Sequence, residues 1–229
     1  MPADLKPLVD LKLVTTEKFA KSQAYNKEKS TFGFYKGIID TIWDLVIFVN
    51  LAYFWEGSLT LAQMAMPWLT HENEIIHALS FVGCFIIVST IWKIPFSLYS
   101  SFVIEERHGF NKQTLGLFFT DLIKGLVLSM VIGLPILAAL LWIILWAGDL
   151  FYIYVWAFTF VVTMVMMTIY PNYIAPLFNK FDPLEEGSLK DKIYALADRV
   201  SFPLTKLFIV DGSRRSAHSN AYFYGFFKN

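Results

Sequence analysis

The sequence predicts an α-helical polytopic membrane protein with four transmembrane helices followed by the start of a small cytosolic α+β domain. Of its 229 residues 56% are hydrophobic, and the mean hydropathy of +0.51 is too high for an ordinary soluble domain. Four apolar runs approach or exceed the roughly 20 residues that a helix needs to cross a bilayer. The formal net charge is zero, so the basic excess that supplies affinity for nucleic acid is missing. The lipid bilayer is therefore an expected partner and nucleic acid is not.

Residues 1–32 predict a cytosolic N-terminal arm that ends in a short polar helix. Thr16 is placed to cap this helix, and Tyr25 falls on its inner side. Six lysines lie between Lys6 and Lys29, and they fit a solvated face better than a surface for anionic headgroups. The arm contains no long apolar core, so no cleavable signal peptide is expected.

Residues 33–178 predict a four-span membrane domain. Tryptophans and tyrosines cluster at the ends of the apolar runs, as in the interfacial belts of membrane helices. Only residues 147–149 separate the third run from the fourth, which predicts a tight helical hairpin. The four predicted spans are Phe34–Trp55, Ile75–Tyr99, Leu122–Trp146 and Leu150–Tyr170.

The basic residues predict the orientation of these spans. The arm is rich in lysine, whereas the 56–74 loop has no Lys or Arg. The 102–121 loop contains Arg107 and Lys112, and the tail after Tyr170 contains eight Lys or Arg. Because cytosolic loops carry the excess of Lys and Arg, both termini and the 102–121 loop are expected in the cytosol.

Residues 179–229 predict the start of a cytosolic α+β domain. Ser188–Val200 carries its apolar residues on one helical face. Lys206–Val210 has the composition of a strand, a turn follows at Asp211-Gly212, and Ala221–Phe226 alternates with period two, which together predict a terminal β-hairpin. About forty residues of soluble fold bury too little surface to be stable alone, so a longer domain is expected.

Acidic residues in the first span need an explanation. Asp40 and Asp44 are four residues apart and share a helix face. An acid in a span normally faces the bundle interior or a water-filled cavity. Two interpretations stay open. Either both carboxylates face a water-filled interior, or Asp40 lies at the interface and one acid is buried with a local partner.

Two polar segments resemble catalytic sites but have ordinary explanations. His71 and His77 are six residues apart, whereas two ligands of one ion on a helix need a spacing of four. The charged cluster from Glu105 to His108 favours ion pairing around a helix-linking turn at Gly109 over an acid–base site. Cys84, the single cysteine, lies in an apolar run and excludes a cysteine zinc site or an intrachain disulfide.

The last residues suit peptide binding better than catalysis. His218 and Asn220 flank the predicted terminal strand, and one histidine supports neither a zinc site nor a triad. A histidine and an asparagine on an exposed edge strand are suited to holding a peptide main chain.

Three stretches together resemble the type I CAAX prenyl proteases, which are integral-membrane zinc metalloendopeptidases. They are FVIEERHGFNKQT at 102–114, YPNYIAPLFNKFDPL at 170–184 and FPLTKLFIVDGSRRSAHSNAYFYGFFKN at 202–229. The similarity runs from about Thr16 to the last residue. It implies a multi-pass protein of the endoplasmic reticulum membrane and, in some organisms, of the inner nuclear membrane.

The resemblance also implies a fold and an activity. The family forms a seven-helix barrel around a water-filled chamber, and it removes the C-terminal tripeptide of prenylated CaaX proteins by zinc-dependent hydrolysis. By this resemblance His218, Asn220 and Ala221 are expected substrate contacts beside the cleft, and Asp44 and Asn50 are expected to line the chamber. The prenylated CaaX protein or peptide is the expected substrate partner.

Departures from the family pattern limit what this chain is expected to do. The family's H-E-x-x-H helix, its downstream glutamate ligand, its last two spans and its first span have no counterpart in the sequence. The chain is therefore expected to be the amino-terminal half of a protease that binds no zinc and is inactive by itself. The alternative is a non-catalytic four-span scaffold or binder of prenylated tails. A small transporter is a third possibility, which no inverted repeat supports.

Overall fold

The computed structural model describes residues 15–67, 69, 73–218 and 221–223. These residues form two compact units, Met1–Asn111 and Lys112–Asn229. The first unit contains helices α1 (Thr16–Val49), α2 (Leu51–Ala65) and α3 (Glu74–Tyr99). The second contains helices α4 (Leu115–Leu128), α5 (Leu134–Trp146), α6 (Phe151–Ile169) and α7 (Ser188–Arg199), with strands β1 (Phe181–Pro183) and β2 (Phe208–Val210).

Helix α1 joins the predicted polar helix and the predicted first span into one element. It begins after Thr15, whose hydroxyl accepts a hydrogen bond from the amide of Lys18 at 3.2 Å, so the cap is Thr15 and not Thr16. The prediction of a separate short helix was wrong because the helical backbone continues through Gly33 into the apolar run, with no proline to interrupt it. Tyr25 is buried, as its predicted inner position requires.

The predicted span Phe34–Trp55 is bent at Asn50. Helices α1 and α2 meet there at 78°, and α2 continues to Ala65 through much of the predicted 56–74 loop. The Asn50 side-chain amide donates to the Val46 carbonyl at 2.8 Å, a competition with the backbone that is typical of helix ends. The first span thus stays a prediction, and hydropathy did not reveal the change of direction within it.

Three long helical segments are apolar enough to cross a membrane. They are Glu74–Glu105, Leu115–Trp146 and Gly148–Leu177, and the bent pair of α1 and α2 passes the same test only when both helices are taken together. The described residues thus contain three candidate spans, or up to four. The predicted hairpin of the last two spans is confirmed, because α5 packs against α6 across a one-turn 3₁₀ helix at Gly148–Leu150.

Each of these three segments contains a short π-helical stretch near a proline. The stretches are Ser100–Glu105 after Pro95, Ser129–Gly133 before Pro135, and Tyr170–Ile174 around Pro171. A proline removes one amide donor and crowds the carbonyl four residues earlier. Wider turns restore hydrogen bonding to the displaced carbonyls, which is a requirement inside a membrane.

The first unit is held by contacts between α1 and residues 105–108, which follow α3. The Tyr25 hydroxyl donates to Glu105 Oε1 at 2.6 Å, and the Lys29 ammonium donates to the same oxygen at 2.9 Å. Glu28 accepts from Arg107 and lies 2.8 Å from His108 Nε2. Ion pairing around the 105–109 turn was the favoured interpretation of this cluster and is confirmed, although the partners on α1 were not predicted.

Asp40 has local partners in the first unit. It forms an ion pair with Lys36, one turn earlier in α1. Trp92 donates from its indole nitrogen to the Asp40 carboxylate at 3.2 Å, and its ring stacks on Trp43 at 4.2 Å. These contacts satisfy the Asp40 carboxylate within the first unit, and both interpretations of the acid pair stay predictions.

The strands of the second unit pair in an unexpected order. β2 is antiparallel to β1, with Phe181 opposite Val210 and Pro183 opposite Phe208. Among the described residues, the predicted hairpin of 206–210 with 221–226 is therefore not seen. Residues 221–223 form no strand, and residues 224–226 lie outside the described part. The partner of β2 precedes it by a whole helix, α7, so local alternation did not reveal it.

Candidate functional site

The side chain of Arg215 connects three parts of the second unit. Its Nε donates to Asp121 Oδ2 at 2.7 Å and its Nη2 donates to Asp121 Oδ1 at 2.9 Å. This bidentate geometry is the strongest arrangement available to an arginine and a carboxylate. Asp121 belongs to α4, so the ion pair attaches the segment after β2 directly to a membrane helix.

Two further hydrogen bonds from Arg215 hold the chain segment that follows α6. Nη1 donates to the Asn179 side chain at 2.6 Å, and Nη2 donates to the Phe178 carbonyl at 2.7 Å. The Lys112 amide donates to the Arg215 carbonyl at 3.1 Å. The hydrogen bonds to Asp121 raise the pKa of Arg215 above its ordinary value, so the guanidinium stays charged at any physiological pH.

Asp211 fixes the turn that leads to Arg215. Its carboxylate accepts from the Lys180 amide at 2.8 Å, while its own amide donates to the Lys180 carbonyl at 3.2 Å. Arg214 makes a longer contact of 3.4 Å to the same side chain. The hydrogen bond from the Lys180 amide, with Arg214 as a second contributor, lowers the pKa of Asp211 below its ordinary value of 3.8. Residues 211–215 are thus attached at both ends.

The candidate substrate contacts follow this anchored turn. His218 and Ala221 are both exposed, and the His218 amide donates to the Ser216 hydroxyl at 3.1 Å. The Phe223 ring is 81% exposed and touches Phe202 edge-on at 5.4 Å. Asn220 lies outside the described residues. The assignment of His218, Asn220 and Ala221 to substrate stays a prediction, now with a defined anchor three residues before His218.

The two candidate chamber residues lie at the end of α1. Asp44 borders a cavity of about 310 Å³ whose other walls are apolar, including Phe48, Phe81 and Phe85. Asn50 is the C-cap residue of α1, and its side-chain amide donates to the Val46 carbonyl. The chamber-lining role of both residues stays a prediction.

The described residues do not fit a zinc site. Among them no group of three or more His, Cys, Asp or Glu is placed to hold a metal ion. His77 Nε2 lies 3.0 Å from the Trp55 carbonyl, and His108 is paired with Glu28. His71 lies outside the described part. These residues therefore support no catalytic step through zinc.

Sequence reasoning missed the partnership of Asp121 with Arg215. A signal for it exists in the sequence, because an acid placed among apolar residues at the start of a span needs a charged partner. The tail contains eight Lys or Arg, and no pattern distinguishes Arg215 from the others. Only the folded chain brings together residues that are 94 positions apart.

The chain is similar to known proteins along its whole length. Residues 1–180 match the family described as CAAX prenyl protease N-terminal, five membrane helices, and residues 183–229 match peptidase family M48. A CAAX prenyl protease 1 homolog of Arabidopsis thaliana is 50% identical over 238 residues, which is 99% of this chain and 56% of the relative. The Homo sapiens homolog is 47% identical over 231 residues, 100% of this chain and 47% of the relative.

A solved structure is also similar. The crystal structure of S. mikatae Ste24p matches with a TM-score of 0.86 at 42% identity, covering 98% of this chain and 51% of that chain. The chain thus spans about half the length of the curated relatives and of the solved structure that it matches.

Replacing Arg215 by lysine is expected to destabilise the second unit. Lysine cannot reproduce the bidentate contact with Asp121, so the free energy of unfolding in detergent micelles should fall by about 1.5–3 kcal/mol. The matched control is Arg214→Lys, because the Arg214 side chain is 62% exposed and should contribute less than about 1 kcal/mol. Equal losses in the two variants would contradict the role of Arg215.

The contribution of Asp211 to stability is expected to depend on pH. Because folding lowers the pKa of this carboxyl, its stabilisation is fully present above the ordinary value and is lost as the pH falls through the folded value. Wild type should therefore unfold at a higher temperature than Asp211→Asn at pH 6–7. The difference should shrink below pH 3.8. A difference that stays constant with pH would contradict this account.

Purified residues 1–229 are expected to contain no stoichiometric zinc. The reason is the missing ligand cluster among the described residues, since a stable zinc site needs three or four protein ligands. Elemental analysis of the purified chain, after dialysis against micromolar zinc, measures this directly. One tightly bound zinc per chain would overturn the argument.

Proposed function

The chain belongs to the CAAX prenyl protease family, and we propose that it supplies the membrane domain and the substrate-aligning segment of a prenyl protease. The proposed substrate is a prenylated CaaX protein or peptide, from which the C-terminal tripeptide is removed. The proposed location is the endoplasmic reticulum membrane, with both termini and the 102–121 loop on the cytosolic side. The family relationship supports the reaction class, and the excess of Lys and Arg in these segments supports the orientation.

One observation carries the proposed role of the tail. The bidentate contact of Arg215 with Asp121 fixes the chain three residues before His218. A segment that aligns a peptide needs such an anchor. A mobile strand would lose conformational entropy each time substrate binds, and this loss would weaken binding. The backbone amides and carbonyls of 218–221 then pair with the extended main chain of the substrate, in the manner of β-strand addition.

The individual side chains have separate proposed roles. His218 and Asn220 hold the substrate backbone by hydrogen bonds, and the small side chain of Ala221 leaves room for the substrate residue beside it. Asp44 and Asn50 provide polar groups for a hydrated chamber in the membrane domain. M48 membership implies zinc for the complete protein, but the sequence contains no H-E-x-x-H. The proposal therefore assigns substrate alignment to this chain and leaves the hydrolytic step outside it.

A non-catalytic role is the second candidate function. The observation that favours it is the lack of H-E-x-x-H in the printed sequence. In that case the chain is a four-span membrane scaffold or a binder of prenylated tails, and the same segment 218–221 holds the tail without cleaving it.

A chimera distinguishes the two candidates. Residues 1–229 are joined to the remaining half of the Arabidopsis thaliana homolog, and cleavage of a farnesylated CaaX peptide is measured. An active chimera supports the protease proposal. A chimera with normal zinc content and no cleavage, in which residues 1–229 still bind the farnesylated peptide, supports the binder.

Asn220→Ala in the active chimera tests the substrate segment. The value of kcat/KM should fall by about tenfold, which corresponds to one lost hydrogen bond to the peptide, while zinc content stays normal. The matched control is Lys192→Ala, an exposed change on α7. Unchanged cleavage in Asn220→Ala and His218→Ala would remove the proposed role of this segment.

A further inference from the structure

The second unit contains a basic cavity whose ligand the proposed function does not explain. It has a volume of about 530 Å³ and lies where α4 begins and the chain leaves α6. Four cationic side chains line it, and they come from three separate segments of the chain. They are Lys124, Lys180, Arg214 and Arg215. A volume of this size lies within the roughly 300–1,000 Å³ of ligand pockets, so it has room for more than a bare ion.

The four cationic side chains differ in how strongly other groups of the protein already bind them. Arg215 uses four of its five N–H donors on Asp121, Asn179 and Phe178, and therefore forms a fixed wall. Lys180 pairs with Asp182 at 2.9 Å, but the two side chains are 72% and 56% exposed. Such exposed ion pairs contribute only about 0–1 kcal/mol, so an incoming anion can replace them.

Lys124 is the most available cation of the group. Its ammonium donates to the Leu177 carbonyl at 2.7 Å and lies 6.0 Å from the centre of the Phe178 ring. Within the described part of the chain no carboxylate forms an ion pair with it, and its side chain is exposed. An ammonium group has three N–H donors, and the carbonyl uses one of them. Among the described residues, the Arg214 side chain has one ion-pair partner, Asp211, at 3.4 Å.

The rest of the lining indicates what kind of anion fits. Leu117, Pro176, Leu177 and Phe178 form an apolar wall beside the cations, and Thr114, Thr120 and Asn179 add polar groups. The candidate span that starts at Leu115 and the one that ends at Leu177 are joined by the α5–α6 hairpin. Leu115 and Leu177 therefore lie at the same side of the membrane, at the depth where phospholipid headgroups are found.

We propose that this cavity binds the phosphate headgroup of an anionic membrane phospholipid. Lys124, Lys180 and Arg214 contact the phosphate, and the apolar wall contacts the glycerol and the first acyl carbons. Basic pockets between membrane helices at the cytosolic face are typical of such recognition. The bound lipid links α4 to the segment after α6, and so adds a second tie beside the ion pair of Arg215 with Asp121.

Native mass spectrometry of detergent-purified 1–229 tests the proposal with dioctanoyl phosphatidic acid as the probe. Wild type should retain one lipid per chain. Lys124→Ala and Lys180→Ala should each weaken binding about fivefold, and the double variant about thirtyfold, at about 1 kcal/mol for each cation. Lys124→Arg should retain binding, and the control Lys192→Ala, which lies outside the cavity, should match wild type. Circular dichroism confirms that each variant is folded.

Three further probes separate the sources of the anion. Dioctanoyl phosphatidylcholine should bind far more weakly, since its headgroup has no net charge. Inorganic phosphate should fail to compete at the concentration that saturates with phosphatidic acid. A farnesylated CaaX peptide with a free carboxylate should not compete either. The proposal is overturned if the lysine variants bind like wild type, if phosphatidylcholine binds equally well, or if phosphate or the peptide displaces the lipid.

Discussion

The bidentate ion pair between Arg215 and Asp121 is the contact on which the second unit depends. Both side chains are largely removed from solvent, with 23% and 17% of their surfaces exposed. A charge in such surroundings is tolerated only when a partner and further hydrogen bonds compensate for its lost hydration. Asp121 needs this compensation because it lies among apolar residues in the second turn of α4, and Arg215 provides it from 94 positions later in the chain. The segment 211–218 is positioned as a consequence.

This constraint relates the membrane helices to the proposed function. Residues 181–210 alone form a two-stranded sheet with one helix, and so small an element buries little surface. Arg215 attaches it to α4 and to Phe178 and Asn179, so the following residues start from a defined place. The proposed lipid site uses the same corner of the molecule. Lipid binding and substrate alignment would then stabilise the same arrangement of α4 and the tail.

Much of the fold was predictable because a helix that crosses a membrane must be apolar and long enough to span the hydrocarbon core. The positions of the last three apolar segments, the α5–α6 hairpin and helix α7 all follow from hydropathy and period. The bend at Asn50 and the pairing of β1 with β2 were not predictable in this way. The bend depends on how one amide side chain competes for a carbonyl, and β1 has only three residues, too few to show a pattern. At the candidate site, resemblance indicated His218, Asn220 and Ala221, whereas their anchor came only from the structure.

The sequence by itself determined that this is a helical membrane protein, which family it resembles, and that its printed residues contain no H-E-x-x-H. The length of an apolar run and the presence of a short motif depend only on neighbouring residues, so both can be read directly from the sequence. The tertiary structure alone decided which distant partners the partly buried charges have: Glu28 with Arg107 and His108, Asp40 with Trp92, and Asp121 with Arg215. These partners are far apart in the chain. Their selection depends on burial, because only a charge removed from water needs one particular partner.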